Sequence, residues 1–226
     1  IPPLGVPSPC ENLNGSCESL TGINFSKKFL DSTMHSLVLF LVLIAALVGC
    51  QPEPPAFRAT DISGGTFGKR LDLTDHDGRS RSLEDFRGKA VVLFFGYTSC
   101  PDVCPTTLAR YGEVMKVLGP DADRVQVLFV TLDPRRDDAA RLKAFVPWFD
   151  PRFIGLYGDE AKTAAVAKEF LIHSAVKEVG GGLGYVLDHS AGSYVFDPAG
   201  RLRLYVRDGA AVEDIVADLR LLLAGR

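Results

Sequence analysis

Between residues 70 and 226 the apolar positions fall into blocks separated by turn residues, and each block has a readable period. LDLTDHDGRSRSLEDFRGK, 71–89, sets a short strand before a turn at Asp77-Gly78 with polar residues after it, which predicts a hairpin. AVVLFFGY, 90–97, is an apolar, β-rich run bounded by turn residues, the pattern of a buried strand. VQVLFVTLD, 125–133, repeats it. Between the two, TTLARYGEVMKVLG, 106–119, spaces Leu108, Tyr111, Met115 and Leu118 at helical intervals and stops at Gly119-Pro120. DDAARLKAFVPWF, 137–149, is helical as far as Pro147; FIGLYG, 153–158, is a short strand; EAKTAAVAKEFLI, 160–172, is an amphipathic helix. SYVFD and RLRLYVR flank Pro198-Ala199-Gly200 and predict an antiparallel hairpin. AVEDIVADLRLLLA, 211–224, closes the chain as a helix with Leu219, Leu222 and Leu223 inward.

Strands alternating with helices, then a hairpin and a final helix, imply an α/β domain: a central mixed β-sheet flanked by helices on both faces. The order resembles the thioredoxin fold. No internal repeat and no low-complexity segment interrupts it.

The front of the chain has a different character. Leu37 to Val48 is an unbroken apolar run of 12 residues. A membrane-spanning helix needs roughly 20, whereas the apolar core of a signal peptide has about 7–15. The run ends in Leu47-Val48-Gly49-Cys50, which resembles the lipobox of bacterial lipoproteins. That resemblance implies a lipid on Cys50 and a mature chain beginning there. The Pro-rich QPEPPAF that follows reads as a tether. The expected organisation is therefore a non-native or over-extended N-terminus over 1–33, a signal peptide over 34–49 starting at Met34, a tether over 50–60 and a folded domain over 61–226. The domain would lie outside the cytoplasmic membrane, where disulfides are permitted, and the lipid would anchor the chain rather than span the bilayer.

Composition narrows the classes. The chain of 226 residues is 46% hydrophobic and 23% charged, as an ordinary globular protein is. The formal charge of −3 is scattered, with no basic patch interleaved with aromatics, so nucleic-acid binding has no support. Five cysteines are too few for a disulfide-built scaffold of this length, so each needs its own explanation.

Cys10, Cys17 and Cys50 fall in the front segment, which leaves Cys100 and Cys104 in FFGYTSCPDVCPTT, straight after a predicted strand. Proline suits the first position of a helix, so Pro105 predicts that Cys104 caps the helix and Cys100 lies in the preceding turn. A helix N-terminus stabilises a thiolate, the form needed for nucleophilic attack and for metal ligation alike. The spacing suits three uses: a structural disulfide, a redox couple, or two jaws for a soft cation such as Cu(I).

A third group bears on the choice without settling it. Of the four histidines, His35 lies in the signal region, His76 reads as a solvated turn residue and His173 as a helix-end residue. His189, in GYVLDHSAGSYVFDPAG, sits just before the last hairpin, in a segment that in a thioredoxin-like fold turns back toward the cysteines. Thioredoxin-like reductases carry a proline there; between Pro151 and Pro198 this chain has none.

TSCPDVCP, LDPRRD and YVLDHS…YVFDPAG together resemble the Sco/SenC family of copper-binding assembly proteins, over roughly residues 60–226. The resemblance implies that Cys100, Cys104 and His189 are copper ligands, for Cu(I) and Cu(II). It also implies that Cys100 and Cys104 form a redox-active pair. It further implies delivery of copper to the dinuclear copper centre of cytochrome c oxidase subunit II, or to another periplasmic copper carrier, with reduction of that centre's thiols. Asp188 reads equally as an acceptor that orients His189 or as a plain surface carboxylate; Tyr185 and Asp133 match family positions without an assigned role. Two other readings compete: a thioredoxin-like thiol–disulfide oxidoreductase, and a peroxiredoxin-like peroxidase suggested by the Thr98-to-Cys100 spacing.

Overall fold

The two β-rich apolar runs form the middle of the sheet, because strands covered on both faces are apolar along nearly their whole length. In the computed structural model, which describes residues 56–179 and 184–226, strand β4 is Ala90–Gly96 and β5 is Val125–Thr131, parallel and in register from Ala90 beside Val125 to Gly96 beside Thr131. The expected signal segment and Cys50 lie outside the described residues.

Around this pair the remaining strands are β1 (Thr60–Asp61), β2 (Leu73–Asp75), β3 (Ser80–Arg81), β6 (Ile154–Tyr157), β9 (Ser193–Phe196) and β10 (Leu202–Val206). They make an eight-stranded sheet in the order β1-β10-β9-β4-β5-β6-β2-β3. β6 continues the parallel direction; β9, β10, β1, β2 and β3 run antiparallel to their neighbours. Helix α1 is Val103–Leu118, α2 is Ala139–Phe145, α3 is Glu160–Glu169 and α4 is Val212–Leu223. α1 and α4 pack on each other, and α4 turns Leu219, Leu222 and Leu223 into the core. This is the mixed sheet with flanking helices that the alternation predicts.

Two predicted helices end early. Pro147 lies inside a 3-10 turn at Val146–Trp148 that takes over from α2. α3 stops at Glu169, and Leu171 adopts a left-handed φ of 53°, so Phe170 to Ile172 are not helical. A further pair of strands, β7 (Ser174–Glu178) and β8 (Tyr185–His189), forms a separate two-stranded antiparallel sheet that the apolar pattern did not announce.

At the start of the domain, the N–H groups of Arg58 and Ala59 donate to the two carboxylate oxygens of buried Asp218, both at 2.8 Å. In the predicted hairpin of β2 and β3, Asp75 accepts from the amides of Asp77 and Arg79, while Gly78 takes the left-handed φ of 84° that the turn requires. His76 is not free in solvent: its Nδ1 accepts the Gly155 amide at 3.0 Å, which ties the turn to β6.

Topology places the chemistry. Parallel β4 and β5 end at the same edge of the sheet, and β9, antiparallel to β4, begins there with Ser193 beside Phe94. The turn after β4, the loop after β5 and the segment leading into β9 therefore meet at one end, where doubly wound sheets bind their ligands.

Candidate metal centre

Helix α1 begins at Val103, with Asp102 at its N-cap. Cys104 therefore stands inside the first turn and does not cap it, and Pro105 is the third helical residue. Proline is tolerated there because the first amides of a helix have no intrahelical acceptor. The Cys104 side chain is fully buried and that of Cys100, in the preceding turn, is partly buried; both are free thiols.

Space for the Cys104 sulfur comes from Gly96. A Cβ at that position would stand 2.7 Å from Cys104 Sγ and 2.9 Å from the Phe129 ring. The requirement lies in the last residue of β4 and passes unnoticed in a reading of the cysteine spacing alone.

Under the turn, buried Asp137 accepts from the Thr98 amide at 2.9 Å and from the Thr131 hydroxyl at 2.6 Å, and also from the Thr98 hydroxyl. One carboxylate thus joins the ends of β4 and β5. Arg141 adds donations to the Thr98 and Ser99 hydroxyls at 2.8 and 3.1 Å. Thr98 is committed to holding the loop.

His189 arrives from the other side. Its Nε2 lies 3.6 Å from Cys104 Sγ, and the two sulfurs and a ring nitrogen all lie within 4.8 Å of one another. Its Nδ1 faces the Ser190 carbonyl oxygen at 2.9 Å. A carbonyl only accepts, so Nδ1 carries the hydrogen; Nε2 then donates to the Cys100 thiolate when the ring is protonated and offers its lone pair to a metal when the ring is neutral. Of the two readings of Asp188 the surface carboxylate holds and the orienting role is corrected: its side chain is exposed, and the acceptor that orients the ring is the Ser190 carbonyl. Ser190 is itself fixed by His173, whose amide donates to Ser190 Oγ at 3.2 Å and whose carbonyl accepts the Ser190 amide at 3.1 Å. His173 thus supports the site through its backbone, in the link between α3 and β7.

The two thiols are unlike each other. The Cys104 thiol donating to Cys100 does most to hold Cys100 down at about 3; the His189 ring and the amides of Asp102 and Cys104 add to it against the cost of burial. Cys104 is pushed far up by the same pairing and by burial, so it stays a thiol. Burial works against a charged His189 ring, but the Cys100 thiolate and the Ser190 carbonyl outweigh it and raise its pKa. The ring is drawn close to Cys104, yet the charge that it senses is on Cys100.

Two thiols and one imidazole form the donor set of a thiophilic, borderline-soft ion: sulfur alone suits Cu(I), and nitrogen adds a ligand that Cu(II) accepts. The residues fit copper, and loading it would displace the Cys104 proton. Beyond Tyr185 and Leu187 a cavity of about 560 Å³ opens, and none of the three donors lines it. The three donors therefore form a cluster of their own, apart from that cavity, with Cys104 buried and Cys100 and His189 partly buried.

Fold and site together define a thioredoxin-like protein with a dithiol on its first long strand-to-helix turn and an imidazole facing it. The family description SCO1/SenC matches residues 59–224, and the chain belongs to that family. The mouse protein called SCO2 homolog, mitochondrial, is 34% identical over 172 residues, 75% of this chain and 66% of the mouse protein. The chain thus spans just under two thirds of that relative's length. The structure of Bradyrhizobium japonicum ScoI with copper bound is 37% identical, with a TM-score of 0.65 over 70% of this chain and 100% of that one. BsSco, described as a member of the Sco family of cytochrome c oxidase assembly proteins and as having a disulfide switch, is 19% identical, with a TM-score of 0.58 over 75% of this chain and 100% of its own, and shares the fold.

Proposed function

We propose that this chain is an extracytoplasmic copper carrier that takes up one copper ion as cargo through Cys100, Cys104 and His189. It delivers the ion to the dinuclear copper centre of cytochrome c oxidase subunit II, or to another periplasmic copper carrier. The observation that carries this reading is the convergence of two sulfurs and one imidazole nitrogen within 4.8 Å. The copper-bound relative and the oxidase-assembly description of BsSco support it. Cys50 would hold the protein to a membrane through a lipid, leaving the domain free to reach its acceptor.

Chemically, Cys100 and Cys104 suffice for Cu(I), and His189 completes a three-donor set for Cu(II). A copper titration of the reduced protein, followed by optical and EPR spectra of the Cu(II) form, tests this. One copper per chain with an intense thiolate-to-copper band, lost together with Cu(II) binding in His189→Ala, is expected. A protein that takes up no copper at either oxidation state overturns the reading.

The unequal thiols favour a second activity at the same place. Cys100, as thiolate, attacks a disulfide in the target, and the released target thiolate takes a proton. With the Cys100 charge gone, Cys104 gives up its proton and attacks the mixed disulfide as thiolate, and that proton goes to the second target sulfur. Two electrons pass to the target, which leaves as a dithiol, while Cys100 and Cys104 are oxidised to a disulfide. Turnover of a model disulfide that persists in His189→Ala would mark this activity as independent of the metal.

A further inference from the structure

His189 is carried by β8, and β8 pairs only with β7 among the described residues. The main sheet therefore does not fix the imidazole by strand pairing. A group of side chains at the root of β8 does so instead, and Arg136 is at its centre.

Arg136 belongs to the loop after β5 and its side chain is largely buried. Its Nε donates to Asp133, whose other carboxylate oxygen accepts the Tyr185 hydroxyl at 2.8 Å. Its Nη1 donates to the Tyr185 backbone carbonyl at 2.9 Å. Its flat face lies over the Tyr185 ring, with the guanidinium carbon 3.7 Å from the centroid. One guanidinium thus holds the first residue of β8 by carbonyl, ring face and, through Asp133, hydroxyl. Asp133 is oriented in turn by its own amide, which donates to the Thr131 hydroxyl at 3.0 Å.

The same cation reaches the floor of the site. Its guanidinium carbon is 5.8 Å from the centre of the Tyr97 ring, and that ring meets His189 edge-on at 5.9 Å and 80°. Side chains two apart on a strand share a face, so Tyr185, Leu187 and His189 point the same way from β8. Fixing Tyr185 therefore fixes the height at which the imidazole stands over the sulfurs. Lysine could not replace this: a compact ammonium lacks the flat face and the fork of donors.

We infer that Arg136 is the positioning residue for His189, holding the imidazole arm in the pose that admits Cu(II) while leaving the dithiol's grip on Cu(I) untouched. This rests on the copper reading above and adds a device to it: the arm can be held or released separately from the sulfurs.

The test uses the full chain with Arg136→Leu and Arg136→Lys, and reads three quantities. The first two are Cu(I) affinity against a chromophoric Cu(I) chelator, and Cu(II) affinity with its EPR and charge-transfer spectrum. The third is amide hydrogen exchange of the metal-free protein at Val186–His189 against Ser193–Phe196. Arg136→Leu should weaken Cu(II) by about 10–100-fold, the range for residues that orient ligands, with Cu(I) nearly unchanged. Exchange should quicken in β8 and not in β9, and Lys should not rescue either effect. Equal losses of Cu(I) and Cu(II), equal loosening of β8 and β9, or rescue by Lys would reduce Arg136 to a general stabilising residue. If the unmodified protein binds no copper, the copper reading fails, and the exchange comparison alone decides the clamp. Should Arg136→Leu not fold, Tyr185→Phe removes only the bond to Asp133 and must shift Cu(II) affinity and β8 exchange in the same direction by less; no shift would overturn the inference.

Discussion

The sulfur side and the imidazole side of the site are built by different means. Cys104 is anchored in the core: it sits in the first turn of α1, fully buried, above a glycine that ends a strand paired on both sides. His189 stands on a two-stranded hairpin whose partner strand β7 is exposed at every residue, and side-chain bonds tie it down. Moving Cys104 means disturbing a close-packed interior, where even one methylene is felt. Moving His189 means breaking a few polar contacts, each worth little net. A carrier benefits from the asymmetry. With the ligands held by separate means, the two-sulfur grip and the third ligand can be altered independently.

The largest expected effect tests the sulfur side directly. Cys104→Ser should cost Cu(I) affinity more than about 100-fold, beyond what loss of an orienting residue does. His189→Ala should leave Cu(I) affinity within about tenfold, the lower end of that orienting-residue range. Chelator competition on both variants measures this. If His189→Ala weakens Cu(I) as much as Cys104→Ser does, the two sides are equal partners and the comparison fails.

Gly96→Ala sharpens the same contrast without removing a donor. The added methyl would stand 2.7 Å from Cys104 Sγ, so the sulfur or the Phe129 ring must give way. Overpacking of this kind costs about 1–3 kcal/mol. Denaturant unfolding should show that loss, and Cu(I) affinity should fall with it because the sulfur is displaced. Unchanged stability and affinity would mean that the sulfur side is less tightly packed than the geometry requires.

Legibility followed the same division. β4, β5, α1 and α4 could be read because their side chains meet a core whose period shows in the apolar pattern. The cysteine pair stood out for the same reason, marking the end of a buried strand. β7 and β8 could not be read that way. Ser174 to Glu178 is exposed throughout, so no apolar alternation distinguishes it, although its partner β8 follows after a short connection. His189 was reached through its resemblance to a family motif, not through any period. Arg136 was missed because its partner Tyr185 lies 49 positions away, and one arginine in LDPRRD looks like the other. The Ser190 carbonyl could not be anticipated as the acceptor for His189, because a backbone carbonyl leaves no mark in a sequence.

Those two arginines provide the smallest effect and the closest control. Arg135 also pairs with a carboxylate, donating to Glu160 at 2.8 Å, but both side chains are mostly exposed. Water and salt screen such a pair, and holding two long side chains together costs entropy, so exposed pairs contribute little. Arg136, one residue along, is shielded by two tyrosine rings and joined to the buried Asp133. Arg135→Ala should therefore leave the denaturation midpoint, the β8 exchange rates and the Cu(II) spectrum as they are. Calorimetry and exchange measured beside Arg136→Leu make the comparison. Were Arg135→Ala to loosen β8 as much as Arg136→Leu, net positive charge in the loop after β5 would be holding the imidazole arm. The stacking and directed hydrogen bonds of Arg136 would then lose their claim to a separate role.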